Sequence, residues 1–162
     1  MYLTETNPID RRRCRERGFT IVEIVIVVFL AAVFAMLAGP FMRDFVIQQN
    51  IRNAAFDLMS DITYARSEAV KRNTTVTVAK ATTWTNGWTV AAGATTLRQH
   101  PAVASSIAIT MGGPSIDFYL NGRASSLSQF TIEDTGGSTS IKARCVSIDP
   151  SGRPQSVEGS CS

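Results

Sequence analysis

From Phe19 to Ala38 the chain is apolar or small at every position except Thr20 and Glu23. Those 20 residues, at about 1.5 Å rise each, make a helix of roughly 30 Å, the thickness of a bilayer's hydrocarbon core. The run therefore predicts a membrane-spanning helix. Gly39 and Pro40 interrupt it and predict a kink, which neighbouring turns can absorb. Beyond the kink, Phe41, Phe45, Ile51, Ala54, Ala55, Leu58, Ile62, Ala65 and Ala69 recur at three- and four-residue steps, while Arg52, Asp57, Asp61, Arg66 and Glu68 take other faces. That period predicts an amphipathic continuation of the same helix. Lys71 and Arg72 suit the negative end of its dipole, and Asn73 can adopt the left-handed conformation that stops it.

At Thr74 the period changes to two. "TTVTVAK" (74–80) alternates like a half-buried strand, and Asn86-Gly87 within "WTNGWTV" predicts a tight hairpin turn flanked by Trp84 and Trp88. Further strands are predicted at 95–99, 107–111, 115–120, 129–133 and 140–148, separated by the turn signals "GGP", "NGR", "TGGS" and "DPSG". The expected fold is α+β: a long N-terminal hydrophobic helix packed on a C-terminal antiparallel β-sheet domain. It divides into a leader (1–18), the apolar helix (19–38), the amphipathic helix (39–73) and the β domain (74–162).

A chain of 162 residues, 44% hydrophobic and 18% charged, has material for one core. Its net charge of +3 needs splitting by position. Five of the 16 basic residues, Arg11, Arg12, Arg13, Arg15 and Arg17, precede Gly18 together with three of the 13 acids, so the rest carries 11−10=+1. The charge therefore gives almost no support to nucleic-acid binding by the exported part. The arginine cluster ahead of the apolar run puts the amino end in the cytoplasm and the remainder across the membrane. A cleavable secretory signal is the competing reading, but its apolar core is shorter and ends at an Ala-x-Ala-like site. With the first topology Cys14 is cytoplasmic, whereas Cys145 and Cys161 reach an oxidising compartment and are expected to pair. Two reduced, buried thiols are the alternative.

"RGFTIVEIVIVV" (17–28) resembles the prepilin motif of type IV pilins and type II secretion pseudopilins, in which a basic leader ends in Gly before Phe-Thr-x-x-Glu. The resemblance implies cleavage between Gly18 and Phe19 by a prepilin peptidase, N-methylation of Phe19, and an assembly role for Glu23. That carboxylate pairs, in the family, with the terminal amine of a neighbouring subunit. An isolated acid costs about 2.5–3.5 kcal/mol on insertion and much less when a cation lies at the same depth. A carboxylate that stays protonated or snorkels to the headgroups remains the plainer reading.

Residues 41–80, followed in order by "NGWTV", "LRQH", "IDFYLNGRAS" and "VSIDPSGRPQ", resemble the FimT/GspH group of minor pilins and pseudopilins. The implied partners are other pilins or pseudopilins, the prepilin peptidase and the inner membrane. The implied location is a single-pass inner-membrane protein with a periplasmic C-terminal domain, entering a pilus or pseudopilus on assembly. Some FimT-like minor pilins carry Gly-Arg-x-Arg at the position of "SGRPQ" and hold double-stranded DNA with it during uptake. This chain has Gln155 in place of the second arginine, so Arg153 is the candidate DNA contact, with Lys142 and Arg144 as helpers if all three face one way. A merely solvated arginine after a "DPSG" turn is the alternative.

Nothing in the sequence builds a catalytic site. His100, the single histidine, reads as a loop residue beside Pro101, no Cys-x-x-Cys pair exists, and the glycine pairs lack the setting of a phosphate loop. No enzyme, cofactor or metal is expected. The expectation is a FimT-like minor pilin of a type IV pilus, contributing to pilus biogenesis and DNA uptake. Its rivals are a GspH-like minor pseudopilin of a type II secretion system and a single-pass anchored periplasmic binding module.

Overall fold

The computed structural model describes residues 19–162, except the side chains of residues 37–41 and 111. The expected leader with Gly18 and Cys14, and the side chains around the expected kink, lie outside the described residues.

Helix α1 (Ile21–Arg72) starts where the Thr20 hydroxyl accepts the N–H of Glu23 at 3.2 Å, half of a Thr-x-x-Glu capping box. It ends at Asn73, whose φ of 52° is left-handed, with the N–H of Thr74 reaching back to the carbonyl of Ala69. Among the described residues no helix is long and apolar enough to cross a membrane. The apolar run with described side chains ends at Met36 and measures about 24 Å at 1.5 Å per residue. The chain falls into two compact units, one ending at Gly39 and the other Pro40–Ser162.

In the second unit eight strands follow the helix: β1 (Val76–Lys80), β2 (Trp88–Ala92), β3 (Thr95–His100), β4 (Ile107–Met111), β5 (Ser115–Phe118), β6 (Ser128–Asp134), β7 (Arg144–Ile148) and β8 (Pro154–Glu158). They form two antiparallel sheets, ordered β3-β2-β1-β5 and β4-β6-β7-β8. The helical stripe Ile51, Ala54, Ala55, Leu58, Ile62, Ala65 and Ala69 is buried against both. Val76, Val78, Trp88, Val90, Ile116 and Phe118 meet it from the first sheet; Ile109, Phe130, Ile132, Val146 and Ile148 meet it from the second. The small residues at 54, 55, 65 and 69 let the sheets approach the helix closely. Leu58 is fully buried, so truncation to Ala is expected to cost about 2–5 kcal/mol.

Several expectations need correcting. Asp61 and Glu68 are buried, at 3% and 7% exposure, rather than solvated, because each finds cationic or N–H partners. Phe45, assigned to the buried stripe, is exposed. Asn86-Gly87 does not make a two-residue hairpin: β1 pairs with β2 from Lys80↔Trp88, and the whole segment 81–87 links them. Trp84 turns inward there, donating its indole N–H to the carbonyl of Gly113 at 3.0 Å and packing edge-on against Phe130. Gly87 is required instead for close approach, since a Cβ there would sit 2.3 Å from the carbonyl oxygen of His100. His100 itself closes β3 rather than lying in a loop. The strand expected at 140–148 begins only at Arg144. Before it, Gln48 of α1 stands in for a strand, accepting the N–H of Lys142 at 3.1 Å and donating to its carbonyl at 3.2 Å. Strand β8 was not anticipated, for "PQSVE" is a mostly polar edge strand without alternation.

Candidate functional site

The unit ending at Gly39 presents apolar surface on every side of the helix. Phe19, Ile21 and Phe34 are 76%, 84% and 67% exposed, and each described side chain from Ile21 to Met36 faces outward. A helix apolar all round needs lipid or other helices to cover it. Glu23 stands in this surface in the first turn, where the helix dipole favours an anion. Its carboxylate has no partner among the described residues, while its N–H is held by Thr20. The Thr-x-x-Glu spacing of "TIVE" is the sequence signal of this cap.

In the second unit, Cys145 of β7 and Cys161 form a disulfide with Cα atoms 5.0 Å apart. The Cys161 N–H donates to the Thr131 hydroxyl of β6 at 3.1 Å, so the last residues are fastened across two strands.

The three cations expected to make one patch are not brought together. Lys142 and Arg144 both lie at the open end of the β7–β8 hairpin beside Glu158, at 3.6 and 3.8 Å. Arg144 also donates to the Ser156 hydroxyl, and its side chain is only 18% exposed. Arg153 belongs to the turn at the other end, beyond the pair Ile148↔Pro154. Four residue steps, about 13 Å of strand, separate that pair from Arg144↔Glu158. The intervening rule is cross-strand pairing: Glu158, on a strand the sequence did not reveal, claims both helpers.

Arg153 has different neighbours. Gly152, left-handed and buried, packs so closely on a second turn that a Cβ would lie 2.4 Å from the carbonyl oxygen of Gly122. The same carbonyl accepts the Arg66 Nε–H from α1 at 3.0 Å. Arg123 and Arg153 each follow one of the two touching glycines, so the turns that carry them lie side by side next to Arg66 of α1. None of the three makes an ion pair among the described residues. Asp149 is the nearby acid. The Ser151 hydroxyl, then the Arg153 backbone N–H, hold its carboxyl below the usual range. Tyr119 and Leu120, on the Gly122 turn, are exposed.

A buried polar cluster lies between α1 and the edge strand β3. Asp61 accepts the Trp88 indole N–H at 2.8 Å on one oxygen and pairs with Arg98 at 2.7 Å on the other. The Arg98 guanidinium lies 4.2 Å over the Tyr64 ring. His100 stacks on Trp88, rings 4.0 Å apart and 5° from parallel, with its Nε2 3.4 Å from Asp57. The sequence offered no sign of this cluster, because helical period alone put Asp61 on a wet face. Among the described residues no three His, Cys, Asp or Glu side chains gather as a metal site.

The chain as a whole is similar to known proteins. A family model described as Type II transport protein GspH matches residues 54–152, and one for the prokaryotic N-terminal methylation motif matches residues 13–39. No curated protein matches the chain. The crystal structure of the type IV minor pilin FimU from Pseudomonas aeruginosa is similar at 28% identity and a TM-score of 0.58, covering 68% of this chain and 90% of that one. The minor pseudopilin EpsH of the Vibrio cholerae type 2 secretion system shares the fold at 11% identity and a TM-score of 0.55, covering 67% of this chain and 97% of that one.

Proposed function

The chain belongs to the GspH family of minor pilins and pseudopilins, and from that membership we propose that it is a FimT-like minor pilin of a type IV pilus. The observation that carries the choice of machine is the 28% identity to FimU along 90% of that protein, against 11% for the secretion pseudopilin. Residues 1–18 form a cytoplasmic leader that a prepilin peptidase removes between Gly18 and Phe19, and the new amine of Phe19 is methylated. The apolar helix then rests in the inner membrane, with the β domain periplasmic, until it joins a filament of other pilins. Glu23 meets the terminal amine of a neighbour there. The role is structural, with no reaction to catalyse. The GspH-like pseudopilin is the alternative, with the anchored periplasmic module behind it.

The test is coexpression with a prepilin peptidase and the other pilins of one pilus system. The mature chain should begin at Phe19 and appear in sheared pili; an intact leader in peptidase-positive cells would remove the pilin reading. Processing without entry into pili, but with entry into a pseudopilus, selects the secretion machine.

A second reading, DNA capture, is favoured by one observation: the Gly122–Gly152 contact, on which Arg66 lies, sets side by side the turns that carry Arg123 and Arg153, and none of the three arginines has an ion pair among the described residues. Its site is Arg66, Arg123 and Arg153, in place of the trio that included Lys142 and Arg144.

A further inference from the structure

His100 sits where the chain leaves β3, the edge of the first sheet, to cross to β4 of the second. Its Nδ1 lies 2.8 Å from the carbonyl oxygen of Pro101. A carbonyl only accepts, so Nδ1 carries a hydrogen. In a neutral ring Nε2 would then turn a lone pair toward Oδ2 of Asp57, 3.4 Å away. Only the doubly protonated ring donates at both ends. The stack supports the same state, because Trp88 offers an aromatic face to the imidazolium and its own N–H is bound to the Asp61 carboxylate.

The charges around the ring agree. From α1 it faces Asp57 and Asp61; from β3 it faces Arg98, which is already bound to Asp61; β2 contributes the uncharged Trp88; the following loop, 101–106, has no titratable side chain. Asp57 is therefore the uncompensated charge. The ring cannot easily move away, since the His100–Pro101 peptide is pressed on Gly87, with 2.3 Å left for a Cβ.

We propose that His100 is a proton-operated latch: as an imidazolium it ties the end of the edge strand β3 and the crossover 101–106 to α1 through Asp57, and on losing its proton it lets them loosen. The contribution is present when the ring is doubly protonated and absent when it is neutral. The latch thus sets how firmly the edge strand and the crossover are held to the helix.

The experiment is hydrogen exchange on the full chain in detergent between pH 5 and pH 8, with rates corrected for intrinsic exchange. Protection of residues 95–106, relative to β6 as internal reference, should fall with rising pH by about two- to fivefold, the range for a half-exposed ion pair. His100→Gln and Asp57→Asn should each flatten that dependence. Tryptophan fluorescence is the second readout, because an imidazolium stacked on Trp88 quenches it: emission should rise with pH in the wild type and not in His100→Gln. A protection ratio indifferent to pH in the wild type, or a pH dependence retained by Asp57→Asn, overturns the latch.

Discussion

The Trp88 indole N–H donates to Asp61 at 2.8 Å between two side chains exposed by only 1% and 3%. One carboxylate thereby ties β2 to α1, and through its second oxygen holds Arg98 of β3 as well. Asp61→Ala should cost about 1–3 kcal/mol for the orphaned indole N–H alone, plus the loss of the Arg98 pair. Asp61→Asn, which can still accept from Trp88, should cost less. Denaturant unfolding of the full chain in detergent measures both, and equal losses for the two variants would mean that the ion pair, not the indole bond, is what matters.

The disulfide between Cys145 and Cys161 closes a separation of 16 residues. Cys161→Ser should cost about 3 kcal/mol by the loop-entropy argument. The loss should be felt first in residues 159–162, because beyond the ladder to β7 they are held mainly by the Gly159 N–H on the Ala143 carbonyl and the Cys161 N–H on Thr131. Hydrogen exchange that rises there before it rises in β2 fits this; a uniform rise would place the disulfide's effect in the whole domain.

Acid should destabilise the β domain through two turn carboxylates. Asp134 is held below its usual range by the backbone N–H groups of Ser138 and Gly136, and Asp149 by the Ser151 hydroxyl and the Arg153 N–H. A lowered folded value means that stability is fully present above the ordinary value of 3.8 and is lost as pH falls through the lowered one. Ser151→Ala should raise the Asp149 titration without altering that of Asp134. Carboxyl chemical shifts followed from pH 6 to pH 2 check this, and parallel shifts of both groups would contradict it.

Much of the fold was legible because single-segment period carried it. The stripe from Ile51 to Ala69, the stop at Asn73 and most strands follow from spacing and turn residues alone. What stayed hidden depends on partners distant in sequence. Asp61 is buried only because Trp88 and Arg98 arrive from the sheet. Lys142 escapes the strand ladder because Gln48 of the helix takes both of its backbone bonds. β8, lacking an apolar alternation, shows itself only by pairing with β7, and with it came Glu158, which dismantled the expected basic patch.

Insertion and assembly should separate at Glu23. Removing the charge with Glu23→Ala should leave insertion intact or slightly easier, since Glu23 lies in the first turn and not at the helix centre, where an acid costs most. The helix start should persist, since Thr20 still caps the N–H at position 23. Incorporation into sheared pili should nevertheless fall. Thr20→Ala is the matched control: it loses the cap and keeps the acid. If Thr20→Ala and Glu23→Ala impair incorporation alike while both insert, the acid matters as part of the helix cap rather than as a partner for a neighbouring amine.

DNA capture should depend on the turns and not on the hairpin's open end. From Val46 onward the chain carries 10 basic residues and eight acids, 10−8=+2, too little for general attraction. Lys142 and Arg144 are already matched to Glu158, whereas Arg66, Arg123 and Arg153 have no acid paired with them among the described residues. Two or three phosphate contacts give weak, sequence-independent binding whose logarithm falls with log salt at a slope of about −2 to −3. Arg123→Ala and Arg153→Ala should each weaken it and flatten the slope by about one, while Lys142→Ala should leave it unchanged. Arg66 is less suitable for mutation, because its Nε supports the Gly122 turn. Gly152→Ala offers an independent check: its Cβ would meet the Gly122 carbonyl, so the two turns must part and the arginines with them. Titration of the processed full chain in detergent with duplex DNA at several salt concentrations reads all four variants. Binding lost in Lys142→Ala but kept in Arg123→Ala would return the site to the hairpin; no binding at low salt would leave a purely structural subunit.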